Sequence, residues 1–401
     1  FLHAARLDRA PSGLPYLAQA LRWDSTERHV YNTFAWADSG WRLVARSTVR
    51  AGSFLEFGVP SSIPADMAFL SYQDIATADF TVRLAISKVW PDSIGEPDSV
   101  FQTTTQSTEY AAAASARRRW AVRSEQRQPD TGFHVRVFFS DTARIWHEVE
   151  RLGVDEDHCT VAPLGDTTAL VVYAGRSGLE YAVLDGAQWT ERGNLDPRPF
   201  NPANPRLRPR PSGGYWLMWA DDGWVHMSTY LDGVWGRGDS VRCLPAPGET
   251  FQPYQLEAEH TNGEYPVLAW TNAGYGYTYR DMTAIAFPNG HGWDPGEEVP
   301  DSDRSGWIYP TMTTDLNGDV WLVWRRASEG INRWIHTYCS ATCDTPAVVP
   351  RGDGARISWA LSSRAPNSRW TVLRTEGVGG SFDSIGTVRA GDNAVLGFDD
   401  T

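Results

Sequence analysis

The sequence predicts an all-β fold: a β-propeller of seven blades, with six as the alternative, followed by part of a β-sandwich. Three observations predict it. Helical periodicity is hard to find, while short alternating apolar runs such as 217–220, 267–270 and 320–324 are separated by Gly, Asn and Asp turns. These first runs end at Trp36, Tyr72, Val122, Tyr173, Trp219, Trp270 and Trp324. Their spacings, about 36, 50, 51, 46, 51 and 54 residues, fall within the range of propeller repeats.

Each repeat reads as four antiparallel strands, a to d. The a–b turns include Asn317-Gly318-Asp319, Asn262-Gly263-Glu264, Ser212-Gly213-Gly214 and Gly165-Asp166; Asn-Gly and Gly-Gly accept the positive φ of tight hairpins. Strand b ends at the run-end residue, and a b–c turn follows. The plainest pair is Trp36-Ala-Asp-Ser-Gly-Trp41 and Trp219-Ala-Asp-Asp-Gly-Trp224. Strand c, as in 179–184 and 225–230, closes in Leu184-Asp185-Gly186-Ala-Gln-Trp189, Leu231-Asp232-Gly233-Val-Trp235 or Pro288-Asn289-Gly290-His-Gly-Trp293. The last repeat stops near Tyr338, one strand short. An unpaired edge invites aggregation, so residues 1–7 are expected to supply that strand and close the ring. The short first spacing suggests that one strand is missing from the first repeat.

The c–d turns resemble the Asp-box of the sialidase-like (BNR-repeat) β-propellers, where Ser-x-Asp-x-Gly-x-Thr-Trp links the third and fourth strands. The leading Ser and the Thr before Trp are absent from all three copies here. True sialidases carry Arg-Ile-Pro near their start. Ser62-Ile-Pro64 lacks the arginine, which argues against sialidase activity. After Cys343 the pattern changes: Ala355-Arg-Ile-Ser-Trp359, Trp370-Thr-Val-Leu-Arg374, 380–388 and 398–401 resemble a fibronectin type III module. A complete sandwich of that kind needs about 100 residues. The expected domains are therefore a propeller over 1–343 and a truncated module over 344–401, with further domains of a longer chain beyond. Such modules accompany secreted bacterial carbohydrate-active propellers, so the resemblance implies a secreted or cell-surface protein directed at a polysaccharide or other glycan.

Composition narrows the partners. The net charge of −13 over 401 residues argues against nucleic acid. No apolar run reaches the ~18 residues of a membrane span. Lys88 is the only lysine, a bias that codon usage in a GC-rich genome explains. The 19 Trp, 15 Tyr and 15 Phe suit β structure and sugar-stacking surfaces equally. The four cysteines, Cys159, Cys243, Cys339 and Cys343, allow three full pairings, and Cys339 and Cys343 could close a small disulfide loop in a secreted protein. The set lacks the paired CxxC spacing of a zinc site, and no metal or cofactor is expected. Asp315-Leu-Asn317-Gly-Asp319 falls at an a–b turn without the rest of a calcium loop. Arg351-Gly-Asp353 reads as a chance match to an integrin tripeptide.

Two places could carry chemistry. Strand a of the fifth repeat puts Arg206, Arg208 and Arg210 on one face, and strand a of the sixth carries Glu257 and Glu259 with the same period. These strands line a propeller's channel. The row is either a cationic wall for uronates or sulfated sugars, or a Glu–Arg ladder that avoids unpaired buried charge. The second place is the rim where b–c turns and d–a loops emerge. It should gather Trp41, Arg123, Arg176, Asp221, Asp222, Trp224, Tyr275, Tyr277, Arg325 and Arg326 from the turns, and Tyr254 and Trp307 from the loops. Aromatic faces stack on sugars while charged groups bond hydroxyls. A glycosidase would need two carboxylates from such a rim, with Asp38, Asp74, Asp221 and Asp222 as candidates. A lyase would need a His or Tyr base, with His158, His226, Tyr230 and Tyr254 as candidates. A non-catalytic scaffold binding protein through the rim is the alternative.

Overall fold

The computed structural model describes strands between Leu2 and Asp400 and side chains chiefly between residues 111 and 322. Connecting stretches including 76–81, 127–132, 176–177, 276–281 and 301–309 lie outside the described residues. Every described regular element is a β-strand.

Among the described residues, seven antiparallel sheets follow one another along the chain. The first holds Leu2–Arg9, Pro15–Arg22, Arg28–Ala37 and Gly40–Arg50. The second holds Leu55–Gly58, Ala68–Ile75 and Val82–Trp90, with Ser93–Ile94 and Asp98–Thr103 both paired to the last of these. The third holds Ser107–Ala114, Arg119–Gln126 and Phe133–Ser140, edged by Trp146–Glu148 and Leu152–Val154. The fourth holds Cys159–Pro163, Thr168–Gly175, Gly178–Asp185 and Gln188–Asp196. The fifth holds Ala203–Pro209, Tyr215–Asp221 and Trp224–Leu231, edged by Val234–Trp235 and Asp239–Arg242. The sixth holds Thr250–Glu259, Val267–Tyr275, Met282–Ala286 and Glu297–Glu298; the seventh holds Thr311–Thr314, Val320–Ala327 and Arg333–Ser340. First strands of successive sheets are neighbours, and Thr311–Thr314 lies beside Leu2–Arg9, so the series returns to its start. The arrangement is propeller-like. Beyond it, Ala347–Arg351, Gly354–Ala360 and Val395–Asp400 form one small sheet, and Arg369–Thr375 with Phe382–Arg389 another.

Two expectations are corrected. The N-terminal strand does not complete the last sheet: Leu2–Arg9 pairs antiparallel with Pro15–Arg22 in the first sheet, and the seventh has three described strands. Nor is Trp36 the end of a second strand, because it lies on the third strand of its sheet. Second strands begin at Pro15, Ala68, Arg119, Thr168, Tyr215, Val267 and Val320, so the true repeat is roughly 50 residues throughout. The short first spacing came from comparing a third strand with second strands. The two look-alike hexapeptides even turn at different points, since Ala37 pairs with Gly40 whereas Asp221 pairs with Trp224. Turn chemistry is local and fits any hairpin of a sheet.

The core lies between sheets, which is why second strands read as continuous apolar runs. Residues 215–220, Tyr-Trp-Leu-Met-Trp-Ala, are all buried. Period two divides them: Trp216, Met218 and Ala220 pack with Leu268 and Trp270 of the sixth sheet. Tyr215, Leu217 and Trp219 pack with Leu170 and Val172 of the fourth. The fourth sheet repeats the device, sending Ala169, Val171 and Tyr173 toward Trp120 and Val137 of the third. The fourth, fifth and sixth sheets are thus layers each shared by two cores.

Tight turns set the sheet ends. Asp232 and Gly233 have φ of 50° and 82° between the paired Leu231 and Val234, the positive-φ pair of a two-residue hairpin. At the first-to-second turn of the same sheet, Gly214 has φ of 72°, and a Cβ there would run into the carbonyl oxygen of Tyr230. Only glycine fits.

One surface cluster makes a pH prediction. Arg136 Nε donates to Glu148 Oε1 at 2.8 Å and Nη2 to Oε2 at 2.6 Å, while Arg151 Nε donates to Oε1 at 3.0 Å. The Arg136 hydrogen bond leads in holding the Glu148 carboxyl below its ordinary value. Burial opposes it, and the Arg136 and Arg151 charges add to the depression. A carboxyl lowered by folding stabilises the fold above its unfolded value, and that contribution disappears as pH falls through the folded value. Stability should therefore fall with acid below pH 4.5, the ordinary value. Denaturant unfolding of Glu148→Gln across that range should show a shallower decline.

Candidate functional site

In an antiparallel sheet the second-to-third turn lies at the opposite end from the first-to-second and third-to-fourth turns. The fifth sheet shows the former end most fully. Its buried second strand ends at Asp221, Gly223 takes φ of 82°, and Trp224 opens the third strand opposite Asp221. Trp224 is 40% exposed, and the Arg242 guanidinium lies 6.0 Å from its ring centroid. Beneath them the Trp219 and His226 rings stack at 5.3 Å, with 22° between their planes. An indole held by strand pairing on a rigid base offers a flat apolar face, and Arg242 and Asp221 bring charge beside it.

The first-strand row of the fifth sheet is a ladder where it can be seen. Arg208 Nη2 donates to Glu257 Oε2 on the neighbouring first strand, and Glu257 is buried. Burial works against the Arg208 charge, but Glu257 and then Glu259 outweigh it and raise the guanidinium above its ordinary value. Arg208 is thus neutralised within the protein, which favours the structural reading of this row over a free cationic wall.

The predicted rim residues fare unequally. Asp221 and Trp224 flank a second-to-third turn, and Tyr275 ends a second strand, each at the expected end. Arg325 and Arg326 lie near the end of Val320–Ala327, paired with Ile335 and Trp334. Trp41 belongs to the third-to-fourth hairpin of the first sheet, at the opposite end, because Trp36 is on a third strand. Arg123 is 1% exposed within Arg119–Gln126, paired with Tyr110 and Arg136, and so belongs to the interior and not to a turn. Tyr254 lies inside the first strand Thr250–Glu259, opposite Thr271, because that strand begins earlier than the loop reading placed it. Arg176, Asp222, Tyr277 and Trp307 lie outside the described residues.

Among the candidate bases, His226 is buried under Trp219. Tyr230 is buried at the far end of its strand, opposite Tyr215; burial, and after it Glu191, raises its phenol above the ordinary value. Neither suits proton abstraction at the rim. Among the described residues no group of three or more His, Cys, Asp or Glu could hold a metal ion. No described helix is long and apolar enough to cross a membrane.

Arg242 was missed by the sequence reading. Its signal was the alternation Val241-Arg242-Cys243, in which both neighbours are buried and Arg242 is exposed. The fourth strand here is split into Val234–Trp235 and Asp239–Arg242, so its second half is not evident from the turn that starts it.

No family model and no curated protein sequence matches the chain. Solved structures do. The α-L-arabinanase of Penicillium chrysogenum, complexed with arabinobiose, superposes with a TM-score of 0.53 at 11% identity, covering 84% of this chain and 93% of the other. The α-L-arabinofuranosidase of Fusarium graminearum, complexed with an iminosugar inhibitor, gives a TM-score of 0.50 at 11% identity, covering 84% and 92%. Likeness at this identity establishes the fold, a β-propeller.

Proposed function

We propose that this chain is a glycan-directed β-propeller that engages polysaccharide at the ring end carrying Trp224. The observation that carries this reading is the Trp224 indole, half-exposed beside Arg242 and across a two-residue turn from Asp221. A sugar ring presents an apolar face to such an indole and hydroxyls to the charged groups. Two proteins of like fold, an α-L-arabinanase and an α-L-arabinofuranosidase, are named for action on arabinose-containing substrates, which supports this reading by analogy of fold. Arg176, Asp222, Tyr275, Tyr277, Trp307, Arg325 and Arg326 are proposed to complete the surface.

The finer architecture belongs to the same proposal. Seven successive sheets with neighbouring first strands support seven blades. The turns at Asp185-Gly186 and Asp232-Gly233, between third and fourth strands, support kinship with sialidase-like propellers. In the last five strands, the first, second and fifth share one sheet and the third and fourth another, which supports a fibronectin type III-like module. Secretion or surface display completes the reading, with a Cys339–Cys343 bridge. Titration of the unfolded, unreduced protein should then find two thiols, Cys159 and Cys243, and four thiols would contradict the bridge. In the folded protein the Cys243 thiol, pushed by burial up to about 12, should resist alkylation.

The functional test is a polysaccharide screen. New reducing ends would show hydrolysis, and absorbance from a C4–C5 double bond would show a uronate lyase. Retention on a glycan gel without cleavage would show a binding module. Failure of all three would overturn the glycan reading in favour of a protein-binding scaffold. Trp224→Ala should weaken retention about tenfold, equivalent to ~1.4 kcal/mol, with the thermal midpoint little changed.

A further inference from the structure

The fifth sheet carries a second concavity at the end opposite Trp224. It measures about 440 Å³ and lies where the first-to-second and third-to-fourth turns of this sheet meet the turn after Cys159–Pro163. Ligand pockets commonly span ~300–1,000 Å³. Arg210, at the end of the arginine row, forms part of its wall. The backbone there is pinned: Arg210 N–H donates to the Gly214 carbonyl at 3.0 Å, and the Arg210 carbonyl accepts from Gly213 N–H at 3.1 Å. Its Nε, like that of Arg208 two residues earlier, is buried without a hydrogen-bond partner among the described residues, but Arg208 is neutralised through Nη2 by Glu257.

The rest of the lining sorts by availability. The Tyr215 hydroxyl is committed to the Pro163 carbonyl, and the Tyr230 ring packs 4.7 Å from that of Trp235. Leu231 is 42% exposed and supplies an apolar surface. Asp232 is exposed on the positive-φ hairpin. A ligand therefore meets one guanidinium, one carboxylate and an apolar wall. The carboxylate repels a polyanion, the guanidinium calls for one negative charge, and Asp232 accepts hydrogen bonds from hydroxyls.

We propose that this cavity binds the carboxylate-bearing ring of an acidic sugar, a hexuronate. Its carboxylate lies on Arg210, its hydroxyls donate to Asp232, and its apolar face rests on Leu231. The site is separate from the Trp224 end and does not depend on it.

Titration of the full chain with digalacturonate, followed by saturation-transfer NMR, tests the proposal, with cellobiose as the neutral arm and inorganic sulfate as the simple-anion arm. Saturable binding of digalacturonate and none of cellobiose are expected. Arg210→Gln should weaken binding about tenfold. Asp232→Asn, which tolerates the positive φ, should weaken it less, and Trp224→Ala should leave it unchanged. Thermal midpoints check folding, and the exposed Asp232→Asn variant stays informative if Arg210→Gln fails to fold. Equal binding of cellobiose, displacement by equimolar sulfate, or affinity unchanged in both Arg210→Gln and Asp232→Asn would overturn the proposal. A loss confined to Trp224→Ala would place the uronate at the other end and overturn it too.

Discussion

Trp270→Ala is expected to lower the unfolding free energy by about 3–5 kcal/mol, the range for truncating a fully buried tryptophan. The side chain is at 0% exposure in the cluster shared by the fifth and sixth sheets, among Trp216, Met218, Val241 and Leu256. Its indole N–H donates to Asn272 Oδ1 at 2.8 Å, so truncation also removes that donor from a buried amide. Gly296 lies against the far edge of the ring, where a Cβ would overlap the indole, so the backbone is fitted to this side chain. Strand pairing holds both sheets apart, and the cavity cannot collapse freely. The comparison that isolates packing is Trp270→Phe, which keeps part of the ring and should lose less. Equilibrium denaturation of both variants checks the order, and a loss below about 1 kcal/mol for Trp270→Ala would contradict the shared-core packing.

Glu257→Gln should be nearly as damaging, by about 3 kcal/mol, because it leaves the Arg208 guanidinium without its charged partner between two first strands. Glu259 also acts on Arg208, which sets the estimate at the lower end of the range for broken buried pairs. The same physics predicts that removing both charges is milder than removing one. An Arg208→Met/Glu257→Leu double variant should recover most of the loss, since a well-packed apolar pair avoids desolvating two ions. A double-mutant cycle by denaturation measures this. Additive losses would mean that the two side chains are not coupled. This would also reopen the cationic-wall reading of the row.

The architecture was legible because period-two patterning and the repeat length are physical consequences of a sheet packed on both faces. The run Tyr215 to Ala220 could hardly belong to anything else, and its alternate residues do feed two different cores. Strand numbering was less legible. Trp36-Ala-Asp-Ser-Gly-Trp41 and Trp219-Ala-Asp-Asp-Gly-Trp224 share turn chemistry, yet they close different hairpins, because nothing in a six-residue turn records its place in a sheet. That one misplacement moved Trp41 to the wrong end and assigned Leu2–Arg9 to the last sheet. Arg123 was misread because an arginine near a run end looks exposed, whereas here it is buried within a strand. The Arg208–Glu257 pair was readable, since period two on neighbouring first strands forces the two rows together. Arg242 and the Arg210 cavity depend on a split edge strand and on two converging turns, and such tertiary features leave only faint traces in sequence.

Engagement of polysaccharide at the Trp224 end can be read by affinity electrophoresis of the wild-type chain and Trp224→Ala through gels containing arabinan or another neutral polysaccharide, which the Arg210 cavity should not hold. At least one such polysaccharide should retard the wild type, and Trp224→Ala should largely escape retardation. Arg42→Ala, an exposed change on the third-to-fourth hairpin of the first sheet at the other end, should behave as the wild type. Equal retardation of the wild type and Trp224→Ala on every gel would contradict engagement at the Trp224 end.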